Sequence, residues 1–150
     1  MAFARMGNAE RAWQLWSMLN PINHTLNTDS AGIYKAEPYV MSADVYSVAP
    51  HTGRAGWSWY TGSAGWAWRL LTEELLGIKR SGADFTVHAR LPDGWTSFSM
   101  SYQYGESHYQ ISVSRGDAEY RVTLDGVLLP DDRIPLKDDG QNHMVEIIQN

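Results

Sequence analysis

The stretch Ser97-Phe98-Ser99-Met100-Ser101-Tyr102-Gln103-Tyr104 alternates small polar and large apolar side chains without a break. In a strand, successive side chains point to opposite faces, so Phe98, Met100, Tyr102 and Tyr104 share one face and Ser97, Ser99, Ser101 and Gln103 the other. This is the pattern of a face turned towards a core. Gly105-Glu106 makes a tight connection into His108-Tyr109-Gln110-Ile111-Ser112-Val113, and the pair reads as a hairpin. Working outward, Asp84 to Ala89, Tyr120 to Leu124 and His143 to Ile148 are further strands, separated by turn signals at Asp125-Gly126 and Asp139-Gly140. Short antiparallel strands at this spacing predict a β-sandwich.

Upstream of Gly77 to Gly82 the period changes to that of helices. Asn8 is placed to cap a helix carrying Ala9, Ala12, Trp13, Trp16 and Leu19 on one face, and Pro21 ends it. Residues 20 to 36 read as a loop. A second helix is expected from Glu37-Pro38 to about Ser47, with proline in the first turn. A third is expected from Thr61 to Leu76, with Ala64, Ala67, Trp68, Leu71 and Leu75 on one stripe and Gly77 as its C-terminal cap. The order is helices first and strands second. The boundary between the two domains is drawn at 78/79, and three helices are too few to close a helical domain with this much tryptophan.

Composition excludes several function classes. The net charge of −5, with no basic run, argues against nucleic acid and anionic membrane surfaces as partners. The absence of cysteine removes disulfides, thiolate metal sites and thiol nucleophiles, and fits a reducing compartment. No apolar run approaches the roughly 20 residues that span a bilayer, and Met1 to Gly7 lacks the apolar stretch of a signal peptide. Tryptophan is the outlier: Trp57, Trp59, Trp66 and Trp68 fall within one short segment. Indole faces stack on pyranose rings, and indole is also a large core side chain.

The segment Gly53-Arg54-Ala55-Gly56-Trp57-Ser58-Trp59-Tyr60-Thr61-Gly62-Ser63-Ala64-Gly65-Trp66 is a glycine-rich loop running into a helix start. Thr61 is placed to cap, and Gly62 removes the side chain that would hold a ligand off the backbone. Free amides and the helix dipole make such a terminus an anion site, to which Arg54 can add a charge-assisted contact. The alternative is that Thr61 only caps and Gly62 only packs. A nucleophile elbow is excluded because Thr61 stands where its first glycine belongs, and a Walker loop because no lysine is near.

Tyr34-Lys35-Ala36-Glu37-Pro38-Tyr39-Val40, the run Trp57 to Trp66 and Leu76-Gly77-Ile78 resemble the end of the cellobiose and chitobiose phosphorylase family. Arg11-Ala12-Trp13, Asn20-Pro21-Ile22-Asn23-His24 and Ala43-Asp44-Val45-Tyr46-Ser47-Val48-Ala49-Pro50-His51 are similar to the phosphorylase-like region of the cyclic β-1,2-glucan synthases. The resemblance is dense from Arg11 to Ile78 and looser in the strands. It implies an α+β chain: the last helices of an (α/α) six-hairpin toroid, residues 1–78, followed by a jelly-roll-like antiparallel sandwich, residues 79–150.

The chemistry it implies is glycosyl transfer by inverting phosphorolysis of a β-glucosidic bond, with an aspartic acid protonating the leaving oxygen while phosphate attacks the anomeric carbon. Phosphate is then a co-substrate and no cofactor is needed. Thr61 and Gly62 match the family's phosphate-holding pair. The catalytic aspartate and the phosphate-holding His and Arg are expected upstream, so no residue here is assigned as catalytic. His24 and His51 do not replace them. A glutamine that helps hold phosphate in several relatives has no counterpart, since Met41-Ser42-Ala43 fills that place. The resemblance further implies a β-glucan oligosaccharide and the rest of a parent enzyme as partners. It also implies a cytoplasmic location, or the cytoplasmic part of an inner-membrane enzyme. A fragment of this kind is expected to be inert alone.

Glu37, Arg54 and Trp59 are weaker candidates for contact with sugar or phosphate. Glu37 either caps its own helix or pairs with Lys35 or Arg54, or it binds a sugar hydroxyl; Asp44 is equally open. Asp131-Asp132 and Asp138-Asp139 read as solvated turns, since adjacent carboxylates do not face each other across a substrate. The histidines lack close ligand spacing, and a metal is not expected. Two other readings remain. The aromatic sandwich, with Trp95, Phe98, Tyr102, Tyr104 and Tyr109, is a carbohydrate-binding module, or helix faces carrying Trp13 and Trp16 assemble a homo-oligomer.

Overall fold

The computed structural model describes residues 1–59, 61–117 and 119–150, with Thr61 described by its backbone only. The chain divides into two compact units, Met1–Leu71 and Thr72–Asn150. The division falls inside a helical segment, upstream of the 78/79 boundary expected from the sequence.

The first unit holds the helices α1 (Ala2–Arg5), α2 (Ala9–Leu19), α3 (Thr28–Tyr34) and α4 (Thr61–Arg69), and a 3-10 turn at Pro21–His24. The short strands β1 (Asp44–Val45) and β2 (Ala55–Gly56) complete it. As expected, Asn8 caps α2, its side chain accepting from the Arg11 amide at 3.0 Å, and Asn20 leaves the helix in an extended conformation before Pro21.

Two expectations fail here. The segment 20–36 is not all loop: Asn27 and Ser30 bond each other's amides reciprocally, and that capping box starts α3. The helix expected over 37–47 does not form. Pro38 tolerates a first turn but cannot create one. Asp44-Val45 instead pairs with β2, in the register Asp44↔Gly56 and Val45↔Ala55, with the β-branched Val45 suited to a strand.

Buried hydrophobics in this unit are few and mostly small: Ala4, Ala12, Tyr34, Val40 and Ala55. Large apolar side chains such as Met18, Leu19, Tyr39, Trp59 and Trp66 are exposed.

The second unit is a sandwich. α4 passes into a π-helical turn, Leu70–Leu75, and Gly77 (φ 78°) ends the helical segment, as its place in the sequence predicts. A Cβ at Gly77 would run into the His88 carbonyl, so position 77 requires glycine on two counts.

One sheet contains β3 (Ile78–Ser81), β4 (Asp84–Val87) and β9 (Ile134–Pro135). The other contains β5 (Ser97–Tyr104), β6 (Ser107–Arg115), β7 (Arg121–Leu124), β8 (Val127–Leu128) and β10 (Asn142–Gln149), in the order β5-β6-β10-β7-β8. Both sheets feed one core: Phe85, Val87 and Ile134 from the first, and Tyr109, Ile111, Val113, Val122, Val145 and Ile147 from the second. Burying a side chain of this size contributes about 1.5–3 kcal/mol. Phe98, Met100, Tyr102 and Tyr104 pack against that core, with Tyr102 stacked on Phe85 at 5.5 Å, as the alternation predicts.

The sheet is not wholly antiparallel, however. β10 runs parallel to β6, with Val145 beside Ile111 and Ile147 beside Val113. A parallel pair needs a long crossover, and the excursion through β7, β8 and β9 supplies it. Alternation records which face a residue occupies but not the direction of its neighbour.

Candidate functional site

The β1–β2 ladder fixes the approach to α4. Its flanks are closed by backbone bonds from the Tyr46 amide to the Arg54 carbonyl (2.9 Å), from Gly53 to Tyr46 (2.8 Å) and from Ala43 to Trp57 (2.9 Å). Gly56 lies close under the Asp44 side chain, so a Cβ there would displace the Asp44 carboxylate. The chain then takes two left-handed residues, Trp57 (φ 25°) and Trp59 (φ 64°), before α4 starts at Thr61. Bulky residues rarely adopt that conformation, and such strain collects at sites held by their surroundings.

Two contacts hold Trp59. Its indole N–H donates to Glu37 Oε1 at 3.2 Å, and its ring meets Tyr39 edge-to-face at 6.2 Å. The Glu37 carboxyl lies below the ordinary carboxylate range, first through a bond to its own backbone and then through the Trp59 and Ser58 side chains. It is therefore an anionic acceptor at neutral pH. Trp59 and Tyr39 border a largely apolar groove of about 620 Å³ that also takes in Trp16, Pro38 and Trp68.

Of the candidates from sequence, Glu37 and Trp59 come together. Glu37 caps no helix of its own, because none follows it. Arg54 is exposed on the hairpin turn, and among the described residues no hydrogen bond or ion pair joins its side chain to Glu37. Gly62 lies in the first turn of α4, with ordinary backbone angles and nothing within 4 Å of where a Cβ would stand. Neither packing nor φ requires glycine there, in contrast to Gly77. The Thr61 hydroxyl and all of Tyr60 lie outside the described residues.

His24 bonds the Met18 carbonyl at 2.8 Å and stacks on Tyr34, and His51 lies against Tyr46, so both have structural partners. Asp44 sits in β1 rather than on a helix. The Glu37–Trp59 pair has no sequence signal, because the two residues lie far apart in the chain and the left-handed turns that join them fall on tryptophan.

The second unit corrects one reading. Asp138-Asp139 is not simply a solvated turn. Asp138 accepts from the Glu106 amide at 2.8 Å, and Asp139 is bonded by Ser107 (3.0 Å) and His143 (3.2 Å). Asp132 pairs with His88 at 2.7 Å. Among the described residues no cluster of three or more His, Asp or Glu is arranged to hold a metal ion, and no helix is long and apolar enough to cross a membrane.

The chain is 43% identical over 115 residues to the cyclic β-(1,2)-glucan synthase NdvB of Rhizobium meliloti (strain 1021), a match covering 77% of this chain and 4% of that protein. It is 27% identical over 146 residues to the solabiose phosphorylase of Paenibacillus borealis, covering 94% of this chain and 19% of the relative. Against the N,N'-diacetylchitobiose phosphorylase of Vibrio furnissii it is 30% identical over 120 residues, covering 75% and 14%. The chain thus spans less than a fifth of the length of each. Residues 1–77 match the family model described as the glycosyl hydrolase 94 superfamily, catalytic domain. With that match over more than half its length, the chain belongs to the glycosyl hydrolase 94 superfamily.

Proposed function

We propose that this chain supplies the C-terminal part of a phosphorylase-type catalytic domain acting on β-glucans, with Thr61 and Gly62 forming part of its phosphate site. Family membership supports the reaction class, and the open space over Gly62 is the observation that carries the site. A glycine that neither packing nor backbone angle requires, in the first turn of α4, leaves the amides open to an anion. Glu37 and Trp59 offer a carboxylate acceptor and an indole face beside it, suited to a sugar hydroxyl and ring. Inorganic phosphate is the co-substrate, and the general acid comes from sequence outside this chain. The first unit is the end of a six-hairpin toroid and the second a jelly-roll-like sandwich. Its place is cytoplasmic, or on the cytoplasmic side of an inner-membrane enzyme.

Exposed Met18, Leu19, Trp59 and Trp66 support the view that the first unit is completed by further chain. A homo-oligomer through the Trp13 and Trp16 face is the competing use of the same surface. The carbohydrate-binding-module reading has less support, because the aromatic face of β5 packs on the core.

The test is phosphorolysis of β-1,2-, β-1,3- and β-1,4-glucobiose, by this chain and by a longer enzyme containing it. The expected result is turnover by the longer protein only, since a missing general acid typically costs about 10²–10⁴-fold. Thr61→Ala and Gly62→Ala in the longer enzyme should raise the KM for phosphate more than that for glucan. Equal effects on both would refute the phosphate assignment, and turnover by these 150 residues would refute inertness.

A further inference from the structure

His143 is the polar residue at the end of the inward row of β10, ahead of Val145 and Ile147, and its side chain is only 9% exposed. Both ring nitrogens face carboxylate oxygens: Nδ1 lies 2.8 Å from Asp125 Oδ2 and Nε2 lies 3.2 Å from Asp139 Oδ1. Ionised carboxylates only accept, and a neutral imidazole has one N–H. In the neutral ring one nitrogen lone pair would confront a carboxylate oxygen. Only the imidazolium satisfies both contacts.

The carboxylates are anchored independently of the histidine. Asp125 Oδ1 accepts from the Met144 amide at 2.8 Å, and Asp139 Oδ1 accepts from the Gln141 amide and the Ser107 hydroxyl, each at 3.0 Å. Asp125 belongs to the β7–β8 turn, and Asp139 to the loop that precedes β10. The neighbouring Asp138 holds the Glu106 amide in the β5–β6 turn. One imidazole therefore ties together one end of the sandwich.

We propose that His143 is a proton-operated latch: as imidazolium it adds a bond from β10 to both the Asp125 turn and the Asp139 loop, and on losing its proton it gives up the Asp139 contact and leaves that loop on its Ser107 bonds. Asp139 is the contact released because Nε2 makes the longer bond. The other groups facing the ring are consistent with this. Tyr109, stacked on it at 4.7 Å from β6, has its hydroxyl pushed above the ordinary tyrosine value by burial and stays neutral. Tyr104 on β5 lies near Tyr109, and Lys137 in the loop lowers Asp125 slightly.

The Asp125 bond is the main cause that raises His143, so its contribution is present in full below about 6.5 and is lost as pH climbs through the folded value. Asp125 is lowered chiefly by His143, and Asp139 chiefly by the Gln141 amide. Their contributions are present above about 3.9 and are lost as pH falls through the folded values. The latch is shut between these limits.

The test is a nitrogen-15 NMR titration of the imidazole in the intact chain. The expected result is a ring doubly protonated near pH 6.5, a midpoint above that value, and an Nδ1–H tautomer beyond it. Amide exchange at Gly140 and Gln141, corrected for its intrinsic pH dependence, should quicken through the same midpoint while Met144 does not. Asp125→Asn should move the midpoint down. A midpoint at or below 6.5, or loop exchange that follows the intrinsic dependence alone, would overturn the proposal. Both readings come from the unsubstituted chain and stand even where the variant does not fold.

Discussion

Trp59 adopts a left-handed backbone and donates its indole N–H to Glu37 at 3.2 Å, so a carboxylate on one loop holds the strained entry of α4 on another. The strain and the bond are two aspects of one arrangement. Without the acceptor, the edge-to-face contact with Tyr39 alone would hold an indole at φ 64°.

Trp59→Phe keeps the ring and removes the donor. Because the indole bond is among the causes that lower Glu37, its carboxyl should titrate higher in the variant. Carbon-13 NMR of the Glu37 carboxyl reads this directly, and an unchanged midpoint would mean the bond does not form in solution. The sign of the linkage follows: Glu37's contribution is present above about 4.3 and is lost on acidification.

Gly62→Ala and Gly77→Ala should differ sharply in stability. The first places a methyl in open space at ordinary angles, so thermal denaturation should show no loss and a gain of up to about 1 kcal/mol from helix propensity. The second forces φ 78° on alanine and drives its Cβ into the His88 carbonyl. A loss of about 1–3 kcal/mol, the range for strained backbone, is the minimum expected.

Phe85→Ala opens the middle of the sandwich, where its ring meets both Tyr102 and Tyr109. Urea unfolding should show a loss of about 3–5 kcal/mol. A loss under about 1 kcal/mol would mean that the two sheets do not share this core.

Ser107 is fully buried, and its hydroxyl accepts from the Asp139 amide at 2.9 Å and the Gly140 amide at 3.0 Å. Ser107→Ala leaves both amides without that acceptor and should cost about 1–3 kcal/mol in denaturant unfolding. Ser107→Thr, which keeps the oxygen, should lose less if the extra methyl is accommodated.

Tyr120 donates to the Val87 carbonyl at 2.7 Å, and burial pushes its hydroxyl up to about 12. A raised tyrosine stabilises the fold fully below about 10, and that contribution is lost as pH rises through the folded value. Ultraviolet titration should find a tyrosine that ionises only near 12, and Tyr120→Phe should remove that step.

The strands were legible in the sequence because period two is a local property. The alternation from Ser97 to Tyr104 fixes which side chains meet the core whatever the strand pairs with. Asn8 and Gly77 were legible for the same reason, since a helix cap is decided within a few residues. The helix expected over 37–47 failed because Pro38 permits a helix without requiring one, and β2 lies on a different stretch of chain.

Sequence by itself determined the order of helices before strands, the inward face of β5 and the family resemblance around Gly62. Only tertiary structure decided the parallel pairing of β10 with β6, the meeting of Glu37 with Trp59 and the two carboxylates on His143. Each of these joins groups that lie far apart in the chain or on different elements. Residue type fixes what a side chain can donate or accept, but the fold fixes which partner is within reach.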